Sequence, residues 1–244
     1  MLRRNNVLDY SSYLLNPIGG GSESEVFITT FGALKLFRNF LHQNIANEKL
    51  KMLEFFDEHH FCKKFPEIIV ADELLFLENE LKGYIMAYVS GISFKEEAKN
   101  ASYERILYLS EKIESLMKIL HSYNIYLQDL TEDNIKVKGN IVYLIDNDSC
   151  YIGMRTIPKY IAVKYPCPYS SKVSKQSNLF TLRLITILAL TGDLNFIYGK
   201  YHLTYLKRRK LRKKIMKLNI PMDTKKKLVQ ALSKKGFEKL DYMF

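Results

Sequence analysis

Cysteine is scarce in this chain: Cys62, Cys150 and Cys167 are the three among 244 residues. They follow no metal-ligand spacing. An odd number without an export signal points to reduced thiols packed as filler in a cytoplasm. Six prolines and 11 glycines leave no low-complexity or repeat segment. Long apolar runs are missing too. The longest, around Leu184–Leu190, is too short to span a bilayer. The start, Met1-Leu-Arg-Arg-Asn-Asn, lacks the apolar centre of a signal peptide. These absences argue against a zinc site built on cysteine, a repeat array and a membrane-spanning helix, and the expectation is a cytoplasmic protein.

Apolar content and positive charge are plentiful. Hydrophobic residues make up 47% of the chain, ample for a core in one bilobal unit or two small domains. The formal net charge is +11, much of it in the C-terminal fifth. Apolar periodicity predicts hairpin strands over residues 14–36, a helix over 42–58, and strands near 67–70 and 74–90. A long amphipathic helix is predicted over Tyr103–Tyr123, with Ile106, Leu109, Ile113, Leu116, Met117 and Leu120 on one face. A short strand follows at Ile141–Ile145, and beyond about residue 154 the pattern is helical or irregular. A strand-rich front and a helix-rich back predict an α+β protein.

Five segments carry candidate chemistry. Ile18-Gly-Gly-Gly-Ser-Glu-Ser-Glu-Val26 fits a G-x-G-x-x-G-x-V frame at Gly19, Gly21 and Val26, with Ser24 at the third glycine position. Glycines there let backbone N–H groups approach phosphate oxygens; from this segment alone a flexible hairpin turn is the better reading. Phe31-Gly-Ala-Leu-Lys-Leu-Phe37 is an apolar strand bearing Lys35, a charge that needs a partner or an exit to water. Its partner is expected on the next helix at Glu48, with Glu54 as fallback. Gly83-Tyr-Ile-Met-Ala-Tyr-Val-Ser-Gly91 reads as a strand closed by a glycine. Leu127-Gln-Asp-Leu-Thr-Glu-Asp-Asn-Ile135 and Leu144-Ile-Asp-Asn-Asp148 then place Asp129, Asn134 and Asp146 in order along the chain.

Together, over about residues 15–192, these segments resemble the protein-kinase-like superfamily, as a divergent eukaryotic-type Ser/Thr protein kinase. The resemblance implies a bilobal fold in one domain. A small N-terminal antiparallel sheet lobe would span about residues 1–90, and a mostly helical C-terminal lobe about 91–244. It implies ATP and Mg²⁺ as cofactors. Lys35 would hold the α- and β-phosphates, steadied by Glu48. Asp129 would accept the proton of the substrate hydroxyl, and Asn134 and Asp146 would bind Mg²⁺. Gly19, Gly21 and Val26 would cover the phosphates. Met86 would take the gatekeeper position, and the backbone of Ala87, Tyr88 and Val89 would meet the adenine edge.

The chain departs from the family pattern at several positions. Leu127 and Gln128 replace the His and Arg before the catalytic Asp. Control by activation-segment phosphorylation is therefore not expected. Thr131 replaces a Lys that contacts the γ-phosphate. Asp146-Asn-Asp148 replaces D-F-G, with Asp148 either a third acid or a turn cap. No A-P-E motif is recognisable near Tyr165-Pro-Cys-Pro168. The segment from Ser177 to Gly192 resembles the large buried helix of the C-lobe, with Asn178 in place of the Asp that braces the catalytic loop. An active phosphotransferase is favoured. A pseudokinase acting as a binding or scaffold module, and a small-molecule kinase on the same fold, are the alternatives.

The densest basic run is Lys207-Arg-Arg-Lys-Leu-Arg-Lys-Lys-Ile-Met-Lys217. Leu206, Leu211, Ile215 and Leu218 space as one apolar face, predicting a helix with a basic outer side. Lys207, Arg208, Arg209, Arg212 and Lys213 would then face an acidic protein, an anionic membrane surface or nucleic acid, or simply water. Phe196, Tyr198, Tyr201 and Tyr205 beside the run are expected in the core, with base stacking as the alternative.

Overall fold

The computed structural model describes residues 3–13, 17–20, 23–38, 43–156, 164–194 and 202–244. Gly21, Phe196, Tyr198 and Tyr201 lie outside the described residues. The protein is mixed α+β and divides into two compact units. One comprises Met1–Ser90 with Ile145–Ser149, the other Gly91–Leu144 with Cys150–Phe244.

The first unit is built on a six-stranded sheet. Its strands are β1 (Arg3–Asn6), β2 (Pro17–Gly20), β3 (Ser24–Thr29), β4 (Gly32–Phe37), β5 (Ala71–Leu77) and β6 (Glu80–Met86), in the spatial order β1-β5-β6-β4-β3-β2. The sheet is mixed rather than purely antiparallel, because β1 runs parallel to β5, with Arg3 opposite Glu73. The strand expected over 74–90 is instead a hairpin, β5–β6. Glu78 and Asn79 both take positive φ, 52° and 67°, so a two-residue turn reverses the chain there. No strand forms over 67–70, where Ile68, Ile69 and Val70 are buried in irregular backbone.

Alternation along β4 separates its two faces. Leu34 joins Phe27, Leu75, Ile85 and Tyr10 in an apolar cluster on one face. Lys35 and Phe37 point the other way, where Phe37 meets Tyr84 edge-on at 6.0 Å. Helix α1 (Gln43–Glu58) is followed by a short α2 (Phe61–Lys64). In α1, Lys49, Met52, Leu53 and Phe56 are buried, a spacing of three, four and seven that marks the inward row of a helix.

In the second unit, β7 (Ile92–Ser93) pairs with β9 (Ile135–Lys138), which pairs with β10 (Ile141–Leu144). Ser93 and Glu96 form a capping box that starts α3 (Phe94–Ala98). Ser102 caps α4 (Tyr103–Ser122), whose buried row contains all six apolar residues expected from its periodicity. Helix α5 (Lys175–Leu190) is buried almost all round and packs on α4, joined by a Ser110–Thr186 hydroxyl contact of 2.8 Å. Two short antiparallel pairs complete the strands: β8 (Ile125–Tyr126) with β11 (Tyr151–Ile152), and β12 (Arg155–Thr156) with β13 (Lys172–Val173). Helices α6 (Tyr205–Lys217), α7 (Met222–Gln230) and α8 (Lys234–Phe237) follow. The buried Glu114 carboxylate accepts from the backbone N–H groups of Met243 and Phe244 at 2.7–2.9 Å, fixing the last residues against α4.

Gly83 holds β6 close to β4. A Cβ there would collide with the Lys35 carbonyl oxygen and crowd the Leu36 side chain. Gly83→Ala should therefore lower unfolding stability by about 1–3 kcal/mol in urea titration, through local separation of the two strands. A change under about 0.5 kcal/mol, the size of a neutral surface substitution, would contradict that close approach.

Candidate functional site

The first unit holds an ionic cluster built around two lysines. The chain returns to it at Ile145–Ser149, placing Asp146 and Asp148 against the face of the sheet that carries Lys35. The Lys35 ammonium donates to Asp146, and to Asp148 Oδ1 at 2.9 Å. The other oxygen of Asp148 accepts from Lys49 Nζ at 3.0 Å. Lys49 also donates to Ser149 Oγ at 2.9 Å and pairs with Glu23 at 3.2 Å. Each lysine lies near an aromatic face: Lys35 is 5.6 Å from the Tyr84 ring centre and Lys49 5.7 Å from that of Phe37.

The local backbone explains how the acids are presented. Asn147–Ser149 is a single 3₁₀ turn, pinned where Asn147 Nδ2 donates to the Ile69 carbonyl at 2.9 Å. Asp146, just before it, takes φ of 64°, a left-handed conformation that Asp adopts more readily than most residues. The two acids differ in exposure. The Asp148 side chain is 0% exposed and the Asp146 side chain 38%.

Charge partition follows from this geometry. Burial opposes ionisation of Asp148, but Lys35 and Lys49 outweigh it and hold the carboxyl well below the usual carboxylate range. Burial also disfavours the Lys35 ammonium, yet Asp148, Tyr84 and Asp146 raise its pKa well above the ordinary value. Lys49 is likewise raised, by Asp148 and Glu23, against burial and the repulsion of Lys35. Asp146 goes the other way: burial raises its pKa and Asp148 adds to that, against the pull of Lys35.

This arrangement corrects the expected Lys35–Glu48 pair. Glu48 is exposed on α1, and the inward position next to it belongs to Lys49. A one-residue step turns a helix by about 100°, so Glu48 is off the row formed by Lys49, Met52, Leu53 and Phe56. The fallback, Glu54, pairs with Arg4 at 2.7 Å. Lys35 takes its acids from residues 146 and 148 instead. Lys49 was missed in the sequence, although its spacing to Met52, Leu53 and Phe56 was there to be read.

The other predicted residues fall into two sets. In the first unit, Gly19 and Val26 are opposite each other in the β2–β3 ladder, and Val26 is opposite Lys35 in the β3–β4 ladder. Met86 ends β6 and is buried. Ala87 and Tyr88 are exposed and Val89 is half-buried, in extended chain after the strand. In the second unit, Asp129 and Asn134 share one loop, where Asn134 Nδ2 donates to the Asp129 carbonyl at 3.0 Å. The Asn134 backbone N–H donates to Thr131 Oγ1 at 3.2 Å, so buried Thr131 serves the loop's own turn.

That loop is braced from α5. Asn178 Oδ1 accepts from Leu127 N–H at 2.9 Å, and Asn178 Nδ2 donates to the Leu127 carbonyl at 2.6 Å. The second bond needs an amide, since an ionised Asp has no donor. Asn178 therefore makes a two-sided anchor. His121 approaches the same Oδ1 at 3.2 Å. Buried Glu132 accepts from Lys164 and the Tyr165 hydroxyl, each at 2.7 Å. In α6, Arg208 is half-buried, donating to the Tyr169 hydroxyl at 3.1 Å, so it leaves the expected outward basic set.

The ionic cluster predicts a defined pH response. Asp148 is held below its unfolded value, so its stabilisation is complete above about pH 4 and is lost as pH falls through the folded value. Lys35 and Lys49 are held above theirs, so their share is present below about pH 10 and is lost at higher pH. Asp146, raised by burial, works against stability once pH exceeds the ordinary carboxylate range. Asp148→Asn leaves two buried cations short of an anion and should cost about 3–5 kcal/mol at neutral pH. It should also flatten the acid limb of the stability curve in denaturant titrations. Wild-type stability in this variant at neutral pH would contradict the role of Asp148.

A scan against family models returns no match, and neither does a search of curated proteins.

Proposed function

We propose that the chain is an ATP- and Mg²⁺-dependent phosphotransferase whose two units are the lobes of a divergent kinase-like fold. One observation carries the reading. Lys35 and Asp146, assigned from sequence order to phosphate and metal, are 111 residues apart and are joined in one ion pair. In support, Asp129 and Asn134, the assigned base and second metal ligand, share a loop anchored through both the N–H and the carbonyl of Leu127.

The donor set suits Mg²⁺, which takes one or two protein oxygens and fills the rest of its shell with phosphate and water. Asp148 is enclosed and engaged by two lysines, whereas Asp146 is partly exposed, so Asp146 is the acid open to a cation. Asn134 is the assigned second ligand. When bound, Mg²⁺ supplies neutralisation of charge on the β- and γ-phosphate oxygens. Lys35 would bind the α- and β-phosphates, with Asp148, which accepts from it at 2.9 Å, as the acid that orients it. Asp129 would orient the acceptor hydroxyl and take up its proton as the oxygen attacks the γ-phosphorus and the bond from that phosphorus to the β–γ bridging oxygen breaks, releasing ADP.

A second reading, a nucleotide-binding module without turnover, is favoured by Lys49. A cation stands where the resemblance calls for the glutamate that steadies Lys35.

Thermal unfolding with ATP and Mg²⁺ tests the nucleotide site. At 100 times Kd, binding should raise Tm by roughly 5–10 °C. No shift at millimolar ATP would overturn the reading. Asp129→Asn should keep that shift and abolish transfer of labelled phosphate, because Asp129 is assigned to the acceptor. A wild-type shift with no transfer to any acceptor would favour the second reading.

A further inference from the structure

Residues 202–244 hold 14 Lys and Arg against three Asp and Glu, a net of +11. That equals the formal charge of the whole chain, so residues 1–201, with 23 of each sign, are balanced. The imbalance is therefore a property of one region of the second unit, and α6 is its densest part.

Only part of the positive charge on α6 is compensated. Lys214 pairs with Asp193 at 2.7 Å, and Arg208 is held by Tyr169. Arg209, Lys210, Arg212, Lys213 and Lys217 are exposed and have no carboxylate partner among the described residues. The helix turns Leu211 and Ile215 inward. At about 100° per residue, Leu206, Lys210, Lys213 and Lys217 share the opposite face, flanked by Arg209, Met216 and Tyr205.

Leu206, expected in the core, is 73% exposed, and Tyr205 is 67% exposed. Met216 and Met222 are also exposed. Lys225 Nζ donates to the Met216 carbonyl at 3.2 Å, which brings the start of α7 beside the end of α6. One exposed Leu on a surface means little. Here exposed aliphatic side chains are interleaved with unneutralised cations. Nucleic acid offers phosphates to the cations and a base to Tyr205, but no apolar partner to Leu206 and Met216. A lipid interface takes both groups at once, phosphates outside and acyl chains just beneath.

We propose that this face of α6 docks on an anionic phospholipid bilayer. Leu206 and Met216 enter the headgroup–acyl boundary, and Arg209, Lys210, Lys213 and Lys217 lie against lipid phosphates. The contact is peripheral: among the described residues no helix is long and apolar enough to cross a membrane. The proposal stands independently of any phosphotransferase activity.

Sedimentation of the full chain with vesicles tests it. The chain should bind vesicles of phosphatidylcholine mixed with phosphatidylglycerol, not phosphatidylcholine alone, and should be released by salt. Each cation near the surface contributes about five-fold to binding. Joint replacement of Arg209, Lys210, Lys213 and Lys217 by Gln should weaken partition by two orders of magnitude or more. Replacing the three lysines by Arg should preserve it. Leu206→Gln, with charge unchanged, should lose several-fold. These side chains are exposed, so unfolding midpoints should match the wild type. Equal binding to neutral vesicles, no binding to anionic vesicles at low salt, or an unaffected Leu206→Gln would overturn the proposal. So would retention of single-stranded RNA by a chain that ignores the vesicles.

Discussion

Two buried ammonium groups repel each other unless an anion is shared between them. Asp148 is that anion for Lys35 and Lys49, with one carboxylate oxygen for each. The requirement reaches across the first unit. It fixes which face of β4 carries Lys35, which row of α1 turns inward, and where residues 145–149 join the unit. At an effective dielectric of 20, each contact at such distances is worth about 4 kcal/mol before desolvation is subtracted. Desolvation removes much of that, so a core needing only stability is served as well by apolar side chains. Four charged residues meet at this position, and Asp146 is the partly exposed acid of the four.

The second unit reaches order by different means. Its core is apolar and helical, with α5 buried nearly all round against α4. Its polar groups act as local fasteners. Asn178 holds both the N–H and the carbonyl of Leu127, Glu132 is closed off by Lys164 and Tyr165, and Glu114 fixes the backbone at Met243 and Phe244. Each satisfies buried groups that would otherwise cost about 1–3 kcal/mol apiece. A loop carrying Asp129 and Asn134 is thereby fixed by a neutral amide rather than by a charged brace.

Elements governed by a repeating apolar period were legible in the sequence. The helix over 103–122 was read to within a residue, with its buried row, because Ile106 to Leu120 recur at helical spacing over several turns. Lys35 and Asp146 were singled out by motif order, and the structure joins them. What escaped depended on single positions. The β5–β6 reversal turns on positive φ at Glu78 and Asn79, with no glycine to announce it. The inward row of α1 lies one residue on from the expected Glu48: Ile45 and Leu50 beside it are only half-buried, while Lys49, Met52 and Phe56 are enclosed. That shift exchanged Glu48 for Lys49, and Asp148, read as either a third acid or a turn cap, proved to be the anion between two lysines. In α6, Leu206 and Arg208 swapped roles for the same reason: a charged residue with an aromatic partner packs inward, and an apolar one is left outside.

A double-mutant cycle on Lys49 and Asp148 tests the cluster most directly. Lys49→Met and Asp148→Asn, singly and together, would be compared in urea unfolding at neutral pH. A shared anion predicts strong coupling, about 1.5–3 kcal/mol, with the double variant more stable than the sum of the single losses allows. Losses that add within about 0.5 kcal/mol would show that the two residues act independently, and would remove the basis for the cluster as described.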